Sequence, residues 1–89
     1  MIETEITIVN QLGLHMRAAG KFAKLAGSFR SRVSLLRDGI VVDGKSIVGI
    51  LTLAAARGSM LLLRADGADE QQALEALKGL IESKFGEEQ

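Results

Sequence analysis

Ile2, Thr4, Ile6 and Ile8 alternate with Glu3, Glu5 and Thr7. That period of two predicts a strand with one buried face. The spacing then changes. Ala19, Phe22, Ala23 and Ala26 recur at i, i+3, i+4 and i+7, one face of a helix over residues 16–26. Gly27 is placed to end it in a left-handed conformation. Val33 and Leu35 belong to a second strand. Arg37-Asp38-Gly39-Ile40 predicts a hairpin, because Asp-Gly supplies the positive φ that a two-residue turn demands. Ile40-Val41-Val42 is its short return strand. Asp43-Gly44 punctuates the chain, and Ser46 then stands as N-cap to an apolar helix over residues 47–53. Arg57-Gly58-Ser59 marks a loop. Met60-Leu61-Leu62-Leu63 reads as a buried strand closed by Asp66-Gly67. The last element is the clearest helix. Asp69 is its expected cap, and Gln72 three residues later resembles a capping box. Ala73, Leu77, Leu80 and Ile81 share one face with Leu74 beside them, and Gly86 ends the run.

The order β-α-β-β-α-β-α implies an α+β layer fold, with helices on one face of a mostly antiparallel sheet. Pattern alone leaves a ferredoxin-like βαββαβ arrangement, such as a small-molecule sensor domain, nearly as well supported. No linker, repeat or low-complexity segment interrupts the chain, so residues 1–89 form a single domain.

Composition narrows the function classes. An 89-residue chain with 47% hydrophobic residues can bury one modest core. Cysteine is absent, which removes disulfides and thiolate metal sites and fits a reducing cytoplasm. Lys plus Arg balance Asp plus Glu at 11 each, unlike the basic excess of a nucleic-acid binder. Three Phe without Tyr or Trp offer little for base stacking. No apolar run is long enough to span a membrane, and the N-terminal residues lack a signal-peptide pattern. With one His, no transition-metal site is expected.

That single histidine lies in Gly13-Leu14-His15-Met16-Arg17-Ala18-Ala19-Gly20, after a strand and a glycine-containing loop and at the start of a helix. The first turn of a helix carries backbone N–H groups without intrahelical partners, and its dipole favours an anion there. A neutral imidazole is a nucleophile. Arg17 adds a planar fork of donors suited to phosphate oxygens. The plain alternative is that His15 is an ordinary cap. No acidic residue clusters near His15 in the sequence, and Glu87-Glu88-Gln89 reads as a solvated terminus.

Gly13-Leu14-His15-x-Arg17 resembles the active-site motif of the HPr family, the histidine phosphocarriers of the bacterial phosphoenolpyruvate-dependent phosphotransferase system. Lys45-Ser46-Ile47-Val48-Gly49-Ile50-Leu51-Thr52-Leu53 is similar to that family's regulatory serine segment. Met16 and Ala18 stand where the sugar-system form has alanine and proline. Ala18 and the closing Phe85-Gly86-Glu87-Glu88 are similar to the nitrogen-related branch, so the pathway, sugar transport or nitrogen regulation, stays open. The resemblance implies an open-faced β-sandwich of one four-stranded antiparallel sheet and three helices. It implies phosphorylation of His15 at Nδ1, with the Met16 and Arg17 amides and the Arg17 side chain holding the phosphate. Enzyme I would donate the phosphoryl group and an EIIA-type protein would accept it, with no cofactor on this chain. The relay would be a cytoplasmic monomer rather than a stand-alone enzyme. Ser46 is the candidate regulatory residue, the substrate of an HPr kinase/phosphorylase where one is present. A purely regulatory binding module switched at Ser46 is the alternative. Ile50 and Leu53 are the expected core residues of their helix. Ile47, Val48 and Leu51 are the expected docking patch, and Lys21 and Lys24, with Arg17 and Lys45, a basic rim for acidic partners.

Overall fold

Strands that alternate apolar and polar residues need cover on one face only. The computed structural model, which describes residues 1–87, supplies that cover with helices. In chain order the elements are β1 (Ile2–Thr7), α1 (Met16–Gly27), β2 (Arg32–Arg37), β3 (Ile40–Asp43), α2 (Ile47–Thr52), β4 (Met60–Asp66) and α3 (Glu70–Glu82). A short 3₁₀ turn, Lys84–Gly86, follows. The four strands form one antiparallel sheet in the order β1-β4-β2-β3. β4 lies between β1 and β2, whereas a ferredoxin-like split βαβ unit sets its third strand between the first two. The open-faced sandwich is therefore the fold.

Register places the core residues side by side. Ile6 pairs with Leu61, and Leu63 is flanked by Thr4 and Leu35. Ala65 is flanked by Ile2 and Val33. On the opposite face Glu3 sits across from Arg64, and their side chains form an ion pair at 3.0 Å. β4 thus differs from the uniformly buried run expected of four consecutive apolar residues. Leu61, Leu63 and Ala65 are buried, Leu62 is half-buried and Met60 is exposed. It also continues to Asp66, because the alternation persists through Arg64 and Ala65.

Helix α1 turns Ala18, Ala19, Phe22, Ala23 and Ala26 inward, and Ala73, Leu77 and Ile81 do the same for α3. Small residues around Phe22 let α1 lie close to its neighbours, and Phe22 is completely buried. In α2 the buried residue is Ile50, with Leu53 buried just after it. No described helix is long and apolar enough to cross a membrane.

Two expectations about α3 change. Asp69 precedes the helix as expected but makes no side-chain capping bond. Its carboxylate instead accepts from the Arg30 and Ser31 backbone N–H groups, each at 2.9 Å, and from the Ser31 hydroxyl at 2.6 Å. It thereby ties α3 to the loop entering β2, which a reciprocal capping box would not do. The helix also stops before Gly86, at Glu82. Beyond it Lys84, Phe85 and Gly86 all have positive φ, at 61°, 57° and 77°. Burial of Phe85, 1% exposed, holds this left-handed turn in place.

The Asp69 clamp has a consequence for acid stability. The Ser31 hydroxyl, followed by the Arg30 amide, lowers its carboxyl from 3.8 to about 2. A depressed folded-state value means stability that is present above 3.8 and lost as pH falls toward about 2. Asp69→Asn should therefore be less stable than the parent at neutral pH, and the difference should shrink over that acid window. Urea denaturation across pH measures it. A difference independent of pH would show that Asp69 acts through shape alone.

Candidate functional site

The loop between β1 and α1 is built on backbone closure. Ile8 continues the β1 path, donating to the Ser59 carbonyl at 2.9 Å and accepting from Gly58 at 2.7 Å. Asn10 is fully buried. Its carbonyl accepts from the Gly13 N–H at 3.2 Å, and its Nδ2 donates to the Gly13 carbonyl at 2.8 Å. Gly13 has φ +70°, and a Cβ there would stand 2.7 Å from the Ala55 carbonyl oxygen and 2.9 Å from Ala56 Cα. Glycine is thus required twice, for the dihedral and for the approach. Leu14 donates to the Ala55 carbonyl at 2.9 Å and buries its side chain. His15 emerges from this anchored loop.

His15 is the N-cap of α1, in extended backbone with φ −79° and ψ 177°. Its Nδ1 accepts from the Arg17 backbone N–H at 3.3 Å. The Met16 and Arg17 amides belong to the first turn, where no intrahelical carbonyl is available. His15 therefore stands at the helix end whose N–H groups and dipole favour an anion. Its side chain is 24% exposed. Arg17 is exposed, and its guanidinium makes no ion pair among the described residues.

The second imidazole nitrogen meets a residue expected to be solvated. His15 Nε2 lies 2.5 Å from Glu87 Oε2. The other Glu87 oxygen accepts from Asn10 Nδ2 at 2.9 Å. Only 10% of the Glu87 side chain is exposed. The Asn10 hydrogen bond, with those of His15 and the charges of His15 and Arg17, holds its carboxyl below the ordinary carboxylate range against the opposing effect of desolvation. Glu87 is consequently an ionised acceptor. Lys21 Nζ donates to the Phe85 carbonyl at 2.6 Å, fastening the segment that carries Glu87. Glu88 and Gln89 lie outside the described residues.

Sequence reasoning missed Asn10 and Glu87. The one hint for Glu87 was Phe85, a bulky apolar residue beyond the end of a helix and followed by glycine. Asn10 looked like any loop residue, and its burial is a tertiary fact.

The remaining candidates divide. Ser46 is the N-cap of α2, its Oγ accepting from Gly49 N–H at 3.1 Å. Ile47 and Val48 are exposed, at 43% and 73%, and Met16 at 71%. Ile47 Cδ1 lies 3.9 Å from where a Cβ on Gly20 would be. Met16 is one turn before Gly20 on the same side of α1, so these apolar groups flank the His15 end of the helix. Leu51 differs from the expected patch, since it is half-buried and packs against the core. A six-residue helix has too few positions to separate its faces by pattern. Of the basic rim, Lys24 is exposed. Lys21 is engaged with Phe85, and Lys45 Nζ donates to the Phe29 carbonyl at 2.9 Å.

Comparison with known proteins agrees with this geometry. The family model described as PTS HPr component phosphorylation site matches residues 2–83. The phosphocarrier protein HPr of Cupriavidus necator is 51% identical over 87 residues, 98% of each chain. A crystal structure of HPr-C-His from Thermoanaerobacter tengcongensis superposes with a TM-score of 0.96 at 45% identity, covering 100% of both chains. A crystal structure of an HPr dimer from the same organism has a TM-score of 0.76 at 43% identity, over 98% of this chain and 100% of that one.

The Gly13 approach is directly testable. Gly13→Ala combines a positive-φ penalty with a backbone clash and should cost about 1–3 kcal/mol, read from urea denaturation. Ser46→Ala removes a cap without a clash and should cost about 1 kcal/mol. If the two losses were reversed in size, the loop closure at Gly13 would not be the tighter constraint.

Proposed function

The chain belongs to the HPr family of phosphocarriers, and on that premise we propose that His15 accepts a phosphoryl group on Nδ1 from phosphorylated enzyme I and passes it to a histidine of an EIIA-type protein. The observation that carries this reading is the placement of Nδ1 at the first turn of α1, with Nε2 already occupied by Glu87. One nitrogen is turned toward the first-turn N–H groups, of which Arg17 donates to it, and the other is turned toward the carboxylate. Phosphoryl transfer needs positioning and charge stabilisation more than covalent machinery. The first-turn amides of Met16 and Arg17 and the guanidinium of Arg17 supply both.

In the transfer, the donor approaches an imidazole that is already oriented by its two hydrogen bonds. The phosphoryl oxygens come to lie at the α1 N-terminus, where the helix dipole and Arg17 offset their charge. Ile47, Val48 and Met16 are the apolar surface against which donor and acceptor dock in turn, with Leu51 contributing its exposed part. Lys24 and Arg17 steer acidic partners, an effect mainly on association rate. Lys21 acts at one remove, by holding the Phe85 carbonyl. We place the relay in the cytoplasm, acting as a monomer. It needs no cofactor, because phosphoenolpyruvate is consumed at the upstream enzyme.

Incubation with enzyme I, Mg²⁺ and phosphoenolpyruvate should give an acid-labile, base-stable phosphoprotein with a phosphohistidine ³¹P signal, and His15→Ala should abolish it. Acid-stable label on the parent protein would refute the assignment. Arg17→Ala should still be phosphorylated, but with a loss on the order of 2–4 kcal/mol in transition-state stabilisation, typical of removing one electrostatic donor. Arg17→Lys should recover only part of that, since a point charge replaces a fork. Val48→Glu should slow transfer to and from both partners at unchanged thermal stability. Loss of folding in that variant would mean that Val48 supports the core.

A further inference from the structure

Glu87 is separated from His15 by 72 positions, yet the fold goes to some length to bring them together. The turn at Lys84, Phe85 and Gly86 is left-handed at three successive residues, two of them not glycine. Such backbone persists only where surrounding structure holds it. Phe85 supplies a buried anchor, and Lys21 grips its carbonyl at 2.6 Å. The turn then delivers Glu87 to a place where both carboxylate oxygens are engaged. Oε2 faces His15 Nε2 at 2.5 Å and Oε1 accepts from Asn10 Nδ2 at 2.9 Å. Asn10 is completely buried, and the same Nδ2 also donates to the Gly13 carbonyl. Two oxygen acceptors on one side fix the orientation of that amide. The loop that presents His15 and the segment that carries Glu87 are thus joined through one buried side chain.

We propose that Glu87 is a positioning residue for His15. Its carboxylate accepts the Nε2 proton, leaves Nδ1 unprotonated with its lone pair held at the α1 N-terminus by the Arg17 N–H, a bond that must open for phosphorus, and balances the positive charge that the ring takes on when Nδ1 bonds to phosphorus. This rests on the phosphocarrier reading and adds a second half to its site. The electron count closes without any further reagent. The Nδ1 lone pair forms the new N–P bond while the bond from phosphorus to the donor's nitrogen breaks, its electron pair returning to the donor. The Nε2 proton stays where it is. The ring becomes a phosphoimidazolium with Glu87 alongside its N–H. In onward transfer the N–P pair returns to Nδ1, and the ring is neutral again. A carboxylate on the far nitrogen therefore favours formation of the phosphorylated ring and keeps Nε2 protonated, so that neutral imidazole rather than imidazolate departs in onward transfer. The logic is that of a buried carboxylate orienting a histidine in hydrolytic triads, here with the histidine itself as the group that carries the transferred atom.

Glu87→Gln and Glu87→Ala separate charge from contact. Gln keeps an oxygen for the Nε2 proton but loses the charge, and Ala loses both. Imidazole ¹H–¹⁵N spectra should show a proton on Nε2 that exchanges slowly with water in the parent and in Glu87→Gln, and rapidly in Glu87→Ala. Single-turnover transfer from phosphorylated enzyme I and to an EIIA-type acceptor should fall in both variants, on the order of 10–100-fold in Glu87→Ala as for other partners of a functional histidine. Thermal unfolding checks that both variants remain folded. Transfer rates equal to the parent in both variants overturn the proposal, and so does a parent spectrum with the proton on Nδ1. If the parent is itself not phosphorylated, the relay reading fails instead, while the Nε2 proton still reports whether the contact exists.

Discussion

The close approach of Gly13 to the Ala55–Ala56 backbone governs where the imidazole can stand. With a Cβ 2.7 Å from a carbonyl oxygen excluded, only glycine lets the loop after β1 pass tightly over the connection between α2 and β4. Leu14 then locks the contact by donating to the same Ala55 carbonyl. Ala54, next to it, itself has φ +49°, so the connection is shaped on both sides of the crossing. The result couples three elements. β1 feeds the loop, the α2–β4 connection supports it, and α1 begins where it ends. Moving any one of them displaces His15 relative to the N–H groups of its own helix. The constraint is backbone on backbone, at the Ala55 carbonyl oxygen and Ala56 Cα.

Much of this was legible because it is local. Period-two alternation located β1 and β2, Asp38-Gly39 marked the hairpin, and Ser46 was recognisable as a cap from its place before an apolar run. Ile50 and Leu53, expected inside, are buried, although a helix apolar nearly all round does not mark its inner face by pattern. What was not legible depends on partners distant in sequence. Asp69 before a helix looks the same whether it caps that helix or binds another loop. Its ligands, Arg30 and Ser31, are 39 and 38 positions away. Four consecutive apolar residues hid the alternation of β4, which becomes visible only once Ala65 is counted with Leu61 and Leu63. The Glu87 contact is the extreme case. Phe85 is the one neighbour in the chain that hints Glu87 is more than a solvated carboxylate, and its placement comes from a left-handed turn held by the burial of Phe85.

The polar part of the site is assembled at some cost to the fold. Asn10 Oδ1 is buried without a hydrogen-bond partner among the described residues, and an unsatisfied buried acceptor costs about 1–3 kcal/mol. The Asn10 amide nitrogen, by contrast, serves two acceptors. An aspartate would repel Glu87, and an apolar residue would leave the Gly13 carbonyl without its partner. Asparagine is the residue that links a loop carbonyl to a carboxylate in one step, and its orphaned oxygen is the consequence of aiming the nitrogen correctly. Local destabilisation at one buried atom fits a site where orientation matters more than maximal stability.

The charges around His15 pull in opposite directions. The N-terminal end of α1 and the Arg17 guanidinium both oppose a positive ring. Glu87 favours one. The helix terminus and the carboxylate stand on opposite sides of the ring. In the proposed transfer the negative phosphoryl oxygens would face the helix terminus and Arg17, and the ring charge would be met by Glu87. Each charge created in the transfer thus has a counterpart already in place, on the side of the ring where it develops. For a relay this balance matters more than tight binding of the phosphoryl group, since a carrier that held the phosphohistidine too well would accept and not release.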